Sequence, residues 1–161
     1  MPVIAENVRA AAWERCFRAL DRWPWRRASG LPEHLETGRR GEEAGFFYLR
    51  RLGMTVVAHG WQSGRAPGDL DLVAWEQDTL CIVEVKTRTS REVATAESAV
   101  DFGKRRTLRR LTRHYLRQLP EGTVARFDVL SIYFTRSGDA RGASFELFRN
   151  AFGWDEGERL L

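Results

Sequence analysis

The chain has 161 residues, 43% apolar and 30% charged, which suits one soluble globular domain with a core of its own. Its net charge of +4 and pI near 9.6 come from an Arg-dominated set of cations, a composition suited to phosphate contacts. Cys16 and Cys81 make no CxxC or Cys/His cluster, no apolar run reaches membrane-spanning length, and Glu6, Arg9, Glu14 and Arg15 argue against a signal peptide; a cytoplasmic protein without a membrane partner is the expectation.

Residues 5–22 carry Val8, Ala12, Cys16 and Leu20 at helical spacing, with Trp13 and Phe17. A connector follows, with Trp23 and Trp25 among arginines. These aromatics could stack on bases or simply pack on the domain. Residues 1–36 are therefore read as an N-terminal helical extension, 37–150 as the main domain and 151–161 as a tail.

A second helix is expected over residues 38–52, ending at Gly53. Gly41 and Gly45 lie on its packed side with Tyr48, Leu49 and Leu52. Glycines weaken a helix, so close approach to a sheet is a reason to carry them. Glu42 sits at the edge of that side, within reach of whatever lies above the sheet. Glu43 reads as an ordinary first-turn acid favoured by the helix dipole.

Met54–Trp61 reads as a strand, and 62–67 as a loop bearing Arg65. Two strands then flank a tight turn at Gln77-Asp78. With a two-residue loop, Glu76 pairs with Thr79, Trp75 with Leu80 and Val73 with Ile82. Asp71 then falls opposite Glu84, and Asp69 opposite Lys86. Alternation puts these four polar groups at one end of an otherwise apolar face. The opposite face, Leu70, Leu72 and Ala74 against Cys81, Val83 and Val85, is apolar as well, so the pair is central and covered by helices.

Two close carboxylates repel unless a proton or cation lies between them. The group is either a buried salt-bridge network or a hard-cation site, since Mg²⁺ is held by one or two carboxylates plus water and phosphate oxygens. Spacing alone leaves both readings open. His34, His59 and His114 are scattered and read as surface or structural.

Residues 89–98 read as a loop. A helix is expected from the N-cap Asp101 to about Leu119, packed through Leu108, Leu111, Tyr115 and Leu119. Lys104 falls in line with that stripe one turn earlier. Arg106, Arg109, Arg110, Arg113 and Arg117 cover the other side, the densest basic surface in the chain, which would track a nucleic-acid backbone or remain merely solvated. Residues 125–135 read as another central strand, where Asp128 either assists the site or bonds to backbone. Ser137-Gly138-Asp139 reads as a turn, and 143–148 as a final strand.

The order helix, three strands, helix, strand resembles the core of the restriction-endonuclease-like (PD-(D/E)XK) nucleases. Asp71 looks like the first acid of that motif, and Glu84-Val85-Lys86 like its E-x-K. Gly41-Glu42, Gly68 to Val73, Val83 to Arg88, Lys104 and Arg126 to Val129 together resemble the YraN-like family of predicted endonuclease-like proteins, related to archaeal Holliday junction resolvases.

The resemblance implies an α/β fold: a mixed central sheet of four to five strands flanked by helices, with an N-terminal helical extension. It implies catalytic roles for Glu42, Asp71, Glu84 and Lys86. It also implies a Mg²⁺ or Mn²⁺ ion on Asp71, Glu84 and the carbonyl of Val85. Lys104 matches a polar position on the second helix and joins Arg65, Arg106, Arg109, Arg110 and Arg113 as nucleic-acid-binding candidates. One departure is Asp69, where the family usually carries Glu. The implied activity is metal-dependent hydrolysis of DNA phosphodiester bonds, on branched or structured DNA, and a homodimer is compatible with it. The alternative is a non-catalytic nucleic-acid-binding or adaptor protein that keeps the fold.

Overall fold

The computed structural model describes residues 33–88, 100–134 and 143–154. The expected helix over 5–22, the Trp23 and Trp25 arm, the 89–98 loop and the turn at 137–139 lie outside the described residues. The elements are α1 (Glu33–Arg51), β1 (Thr55–Trp61), β2 (Leu70–Glu76), β3 (Thr79–Arg88), α2 (Phe102–Leu116), β4 (Val124–Tyr133) and β5 (Ser144–Phe152). The five strands form one sheet in sequence order. β3 and β4 are parallel, joined across α2, and every other neighbouring pair is antiparallel. This mixed sheet flanked by helices matches the restriction-endonuclease-like α/β fold. Among the described residues no helix is long and apolar enough to cross a membrane.

The β2–β3 register is the one the two-residue turn dictates: Glu76↔Thr79, Trp75↔Leu80 and Val73↔Ile82, ending at Leu72↔Val83. Gln77 turns the chain with φ of 54°, a left-handed conformation that ordinary side chains resist. Central position makes both faces of β3 greasy: Leu80, Cys81, Ile82 and Val83 are all buried.

The two helices cover opposite faces. Leu108 and Leu111 of α2 join Leu70, Val73, Leu80, Ile82, Phe127 and Val129 in the main core. Asp101 caps α2 by accepting from the Lys104 backbone N–H at 2.9 Å, which fixes where the helix starts. α1 begins five residues before its expected start and packs through its glycines. A Cβ on Gly41 would overlap the Thr87 methyl, and one on Gly45 would lie 3.0 Å from Leu130 and 3.3 Å from Leu72. Close approach to the sheet is thus the reason for both. β5 runs to Phe152, four residues past its expected end, and carries Phe145 onto Tyr48 of α1 with ring centroids 4.6 Å apart.

Candidate active site and basic groove

At Asp71 the β2–β3 ladder gives way. The Val85 N–H donates instead to Asp71 Oδ2 at 2.8 Å. A side-chain acceptor has replaced a backbone one, so no strand pair continues to Asp69 and Lys86 as the extrapolated register had it. Asp71 is thereby fixed at the end of the ladder, beside Glu84.

Glu84 is buried, 2% exposed, at the centre of the sheet. Lys86 reaches its Oε1 at 3.0 Å and Lys104, from the start of α2, its Oε2 at 3.0 Å. Lys104 Nζ also lies 4.0 Å from Asp71 Oδ1, so one ammonium faces both acids. The buried Oε2 has the Lys104 ammonium as its partner. Lys86 and Lys104 are the only lysines in the sequence; both converge on one carboxylate.

Charge follows from this geometry. Burial, then the neighbouring Glu84 carboxylate, pushes the Asp71 carboxyl up to about 8, against the opposing pull of Lys104 and the Val85 N–H. Burial presses Lys104 down, but Glu84 and Asp71 more than offset it and hold the ammonium above its ordinary range. Asp69, one residue before β2, adds to the same field.

Glu42 approaches from α1, its Oε2 2.7 Å from His59 Nε2. It reaches the cluster by field, adding to the upward pressure on Asp71. Glu43 instead pairs with Arg39 at 3.4 Å on the helix surface. His59 is the site-adjacent residue that sequence reasoning missed. A bulge between Val56 and Ala58 inserts one residue in β1 and sets His59 opposite Leu72, the face that α1 covers.

Asp128 does not join the site. It lies opposite Val83, so it faces away from Glu84. There it accepts from Arg126 Nε at 2.9 Å and from the Asn150 backbone N–H at 2.8 Å. Arg126 also binds Glu76, which pairs with Arg149 at 2.7 Å. Those guanidiniums, Arg149 first, hold Glu76 down to about 2.

The expected basic face is present with one member removed. Arg106, Thr107, Arg110 and Arg113 line a concavity of about 480 Å³ along α2. Arg110 also donates to the Pro67 carbonyl at 3.3 Å, tying the helix to the loop before β2. Arg109 is the exception, only 7% exposed: it donates to the Gly153 carbonyl at 2.9 Å and lies over the Phe152 ring. The end of β5 covers it, so it cannot meet a backbone phosphate. Arg65 is exposed on the 62–68 loop, where it lines cavities beside Trp61 and Pro67.

The arrangement gathers two acids around an ammonium at the start of the helix that carries the basic concavity. Among the described residues, no three carboxylates, imidazoles or thiolates group closely enough to hold a metal by themselves. A family described as "Uncharacterised protein family UPF0102" matches residues 41–132, which contain every acid and lysine of the cluster. A UPF0102 protein from Koribacter versatilis is 52% identical over 105 residues, covering 65% of this chain and 73% of that one. Another, from Solibacter usitatus, is 39% identical over 137 residues, 84% of this chain and 96% of that one. A third, from Porphyromonas gingivalis, is 38% identical over 122 residues, 76% and 87% of the two chains. The matched stretch spans α1 to β4, and the chain belongs to the UPF0102 (YraN-like) family.

Proposed function

We propose that this protein is a metal-dependent endonuclease that hydrolyses DNA phosphodiester bonds. The observation that carries the reading is the pair Asp71 and Glu84 turned toward a single ammonium, with Glu84 buried. A carboxylate so buried is costly unless it is paired, and suits a cation. Lys104 Nζ stands in for one: it is compact, positive and in reach of both acids. Asp71 and Glu84 would hold Mg²⁺ or Mn²⁺, with the remaining positions left to water, the Val85 carbonyl and phosphate oxygens. Two protein carboxylates suit Mg²⁺, which keeps several waters, so the lack of a third acid is compatible with the fit.

When bound, the ion would supply Lewis-acid polarisation of the phosphate and a more acidic water. The chain's own groups do the rest. The Val85 N–H fixes the Asp71 carboxylate in place. Lys86, held against Glu84, would orient the attacking water and take up charge developing on the phosphate. Arg106, Arg110 and Arg113 would hold the backbone.

The second reading is a nucleic-acid-binding or adaptor protein without turnover. It is favoured by the two lysines, which already neutralise Glu84 without any metal. Incubation of linear and branched DNA with Mg²⁺ or Mn²⁺ separates the two. Wild type should nick one of these substrates, and Asp71→Ala and Glu84→Ala should each abolish it. DNA binding without cleavage in any metal, or cleavage that both variants retain, removes catalysis from this site.

A further inference from the structure

The basic concavity continues beyond Arg113. Its neighbour along α2 shares Arg113 with it, and a third cavity shares Arg117 with that neighbour. The third has about 290 Å³ and is lined by Trp61, Ser63, Arg65, His114, Arg117 and Gln118. Its chemistry differs from the groove before it: an indole and an imidazole lie among two guanidiniums and a primary amide.

Trp61, the last residue of β1, packs against the main core and meets Tyr115 of α2 edge to face, centroids 5.1 Å apart at 81°. An indole locked in this way presents a stacking surface with little entropy left to lose. His114 lines the same cavity with its Nδ1 buried. The His114 ring therefore serves as wall of the cavity, while Gln118 offers the amide that can meet a ligand's polar edge. A π platform, an amide and two guanidiniums complement the base face, base edge and phosphate of one nucleotide.

We propose that this cavity binds an unpaired nucleotide of the substrate. Its base stacks on Trp61 with its polar edge toward Gln118, and its phosphate lies between Arg65 and Arg117. The proposal rests on the nucleic-acid reading above and narrows it to DNA with an unpaired nucleotide, because a base inside the duplex stack cannot reach a pocket. Ten residues of α2 separate Lys104 from His114, about 15 Å at the helical rise. The gripped nucleotide would therefore sit about four or five positions from the acid cluster on a strand rising 3.4 Å per nucleotide.

The test is fluorescence anisotropy in EDTA with two probes: a blunt duplex, and the same duplex with a short single-stranded tail. Wild type should prefer the tailed probe by about tenfold, the scale of one base–aromatic stack. Trp61→Leu should level the two probes, and Trp61→Phe should keep most of the preference. Arg117→Ala, at an exposed position that does not threaten folding, should cut the tail gain and spare most blunt-duplex binding. A wild type without preference, or full preference retained by Trp61→Leu and Arg117→Ala, overturns the proposal. Binding of neither probe at low salt overturns the nucleic-acid reading itself, and this pocket with it.

Discussion

Asp71→Asn should stabilise the metal-free protein at alkaline pH and flatten its stability profile. The unfolded carboxyl ionises near 3.8, whereas the folded one keeps its proton up to about 8. Below the first value both states are protonated and the group adds no pH dependence. Between the two the folded chain holds the extra proton, so stability falls as pH rises. Above about 8 both states are ionised and the penalty is complete. A separation of about four pH units corresponds to roughly 5 kcal/mol if nothing relaxes. The side chain is 12% exposed and has Lys104 at 4.0 Å, so relaxation and screening reduce this to about 2–4 kcal/mol. Asparagine keeps an oxygen to accept the Val85 N–H and removes the charge. Urea unfolding in EDTA from pH 5 to pH 9 gives the comparison. Every other ionisable group is common to the two proteins, so the difference isolates Asp71. The depressed Glu76 exerts its effect only under more acidic conditions. The gap should already be open at pH 5, which lies above 3.8, and should widen by pH 8, with the variant more stable. A variant less stable than wild type at pH 8, or two parallel profiles, would refute a raised Asp71.

The remaining expectations concern packing, the second ion network and the groove. Gly41→Ala should destabilise, because overpacking costs about 1–3 kcal/mol against a helix-propensity gain of about 1 kcal/mol; in a Thr87→Ser background, which lacks the overlapped methyl, the same change should stabilise, and thermal melts showing the same sign in both backgrounds would exclude the close approach. Arg126→Met strands the fully buried Asp128 carboxylate and should cost about 3–5 kcal/mol by denaturant unfolding. Lys104→Met should weaken the metal-free fold yet tighten Mn²⁺ binding by calorimetry, more than Lys86→Met does, because Lys104 alone faces both acids. Replacing Arg106, Arg110 and Arg113 by Gln should lower the slope of log affinity against log salt by up to about 3, whereas Arg109→Gln should leave that slope unchanged.

The parts of the site that could be read from residues alone are those governed by short-range rules. A two-residue turn fixes the β2–β3 ladder, and period-two alternation then places Asp71 and Glu84 together. The Asp101 cap sets the start of α2, and helical spacing sends Lys104 back toward them. Longer-range events were not legible. The bulge at Val56/Ala58 turns His59 toward Glu42; Gly60 is the one irregular residue in that strand, and it does not say where the register shifts. Arg109 lies about 100° from Leu108 on the helix wheel, at the border of the packed stripe, and only the late strand β5, with weak alternation of its own, decides that it is covered. The ladder's end at Leu72↔Val83 depends on one carboxylate outcompeting a backbone carbonyl for the Val85 N–H, a contest that spacing does not reveal.

The identity of the cations bears on whether this cluster is structural or chemical. The chain uses arginine at almost every basic position: in the groove, on α1, and in the Glu76–Asp128 network on the opposite face. Arginine is the usual choice for a buried, permanent ion pair, because its planar fork satisfies a carboxylate with two hydrogen bonds and it never loses its charge. The Arg126–Asp128 pair follows that rule. Glu84 does not, since the chain's only two lysines face it, each at 3.0 Å. A cluster serving stability alone would be better closed by a guanidinium. Two compact ammoniums on flexible stems are poorer clamps, but each can withdraw, so a second cation or a phosphate oxygen can take its place. That asymmetry between the two faces of one sheet favours a site built for exchange.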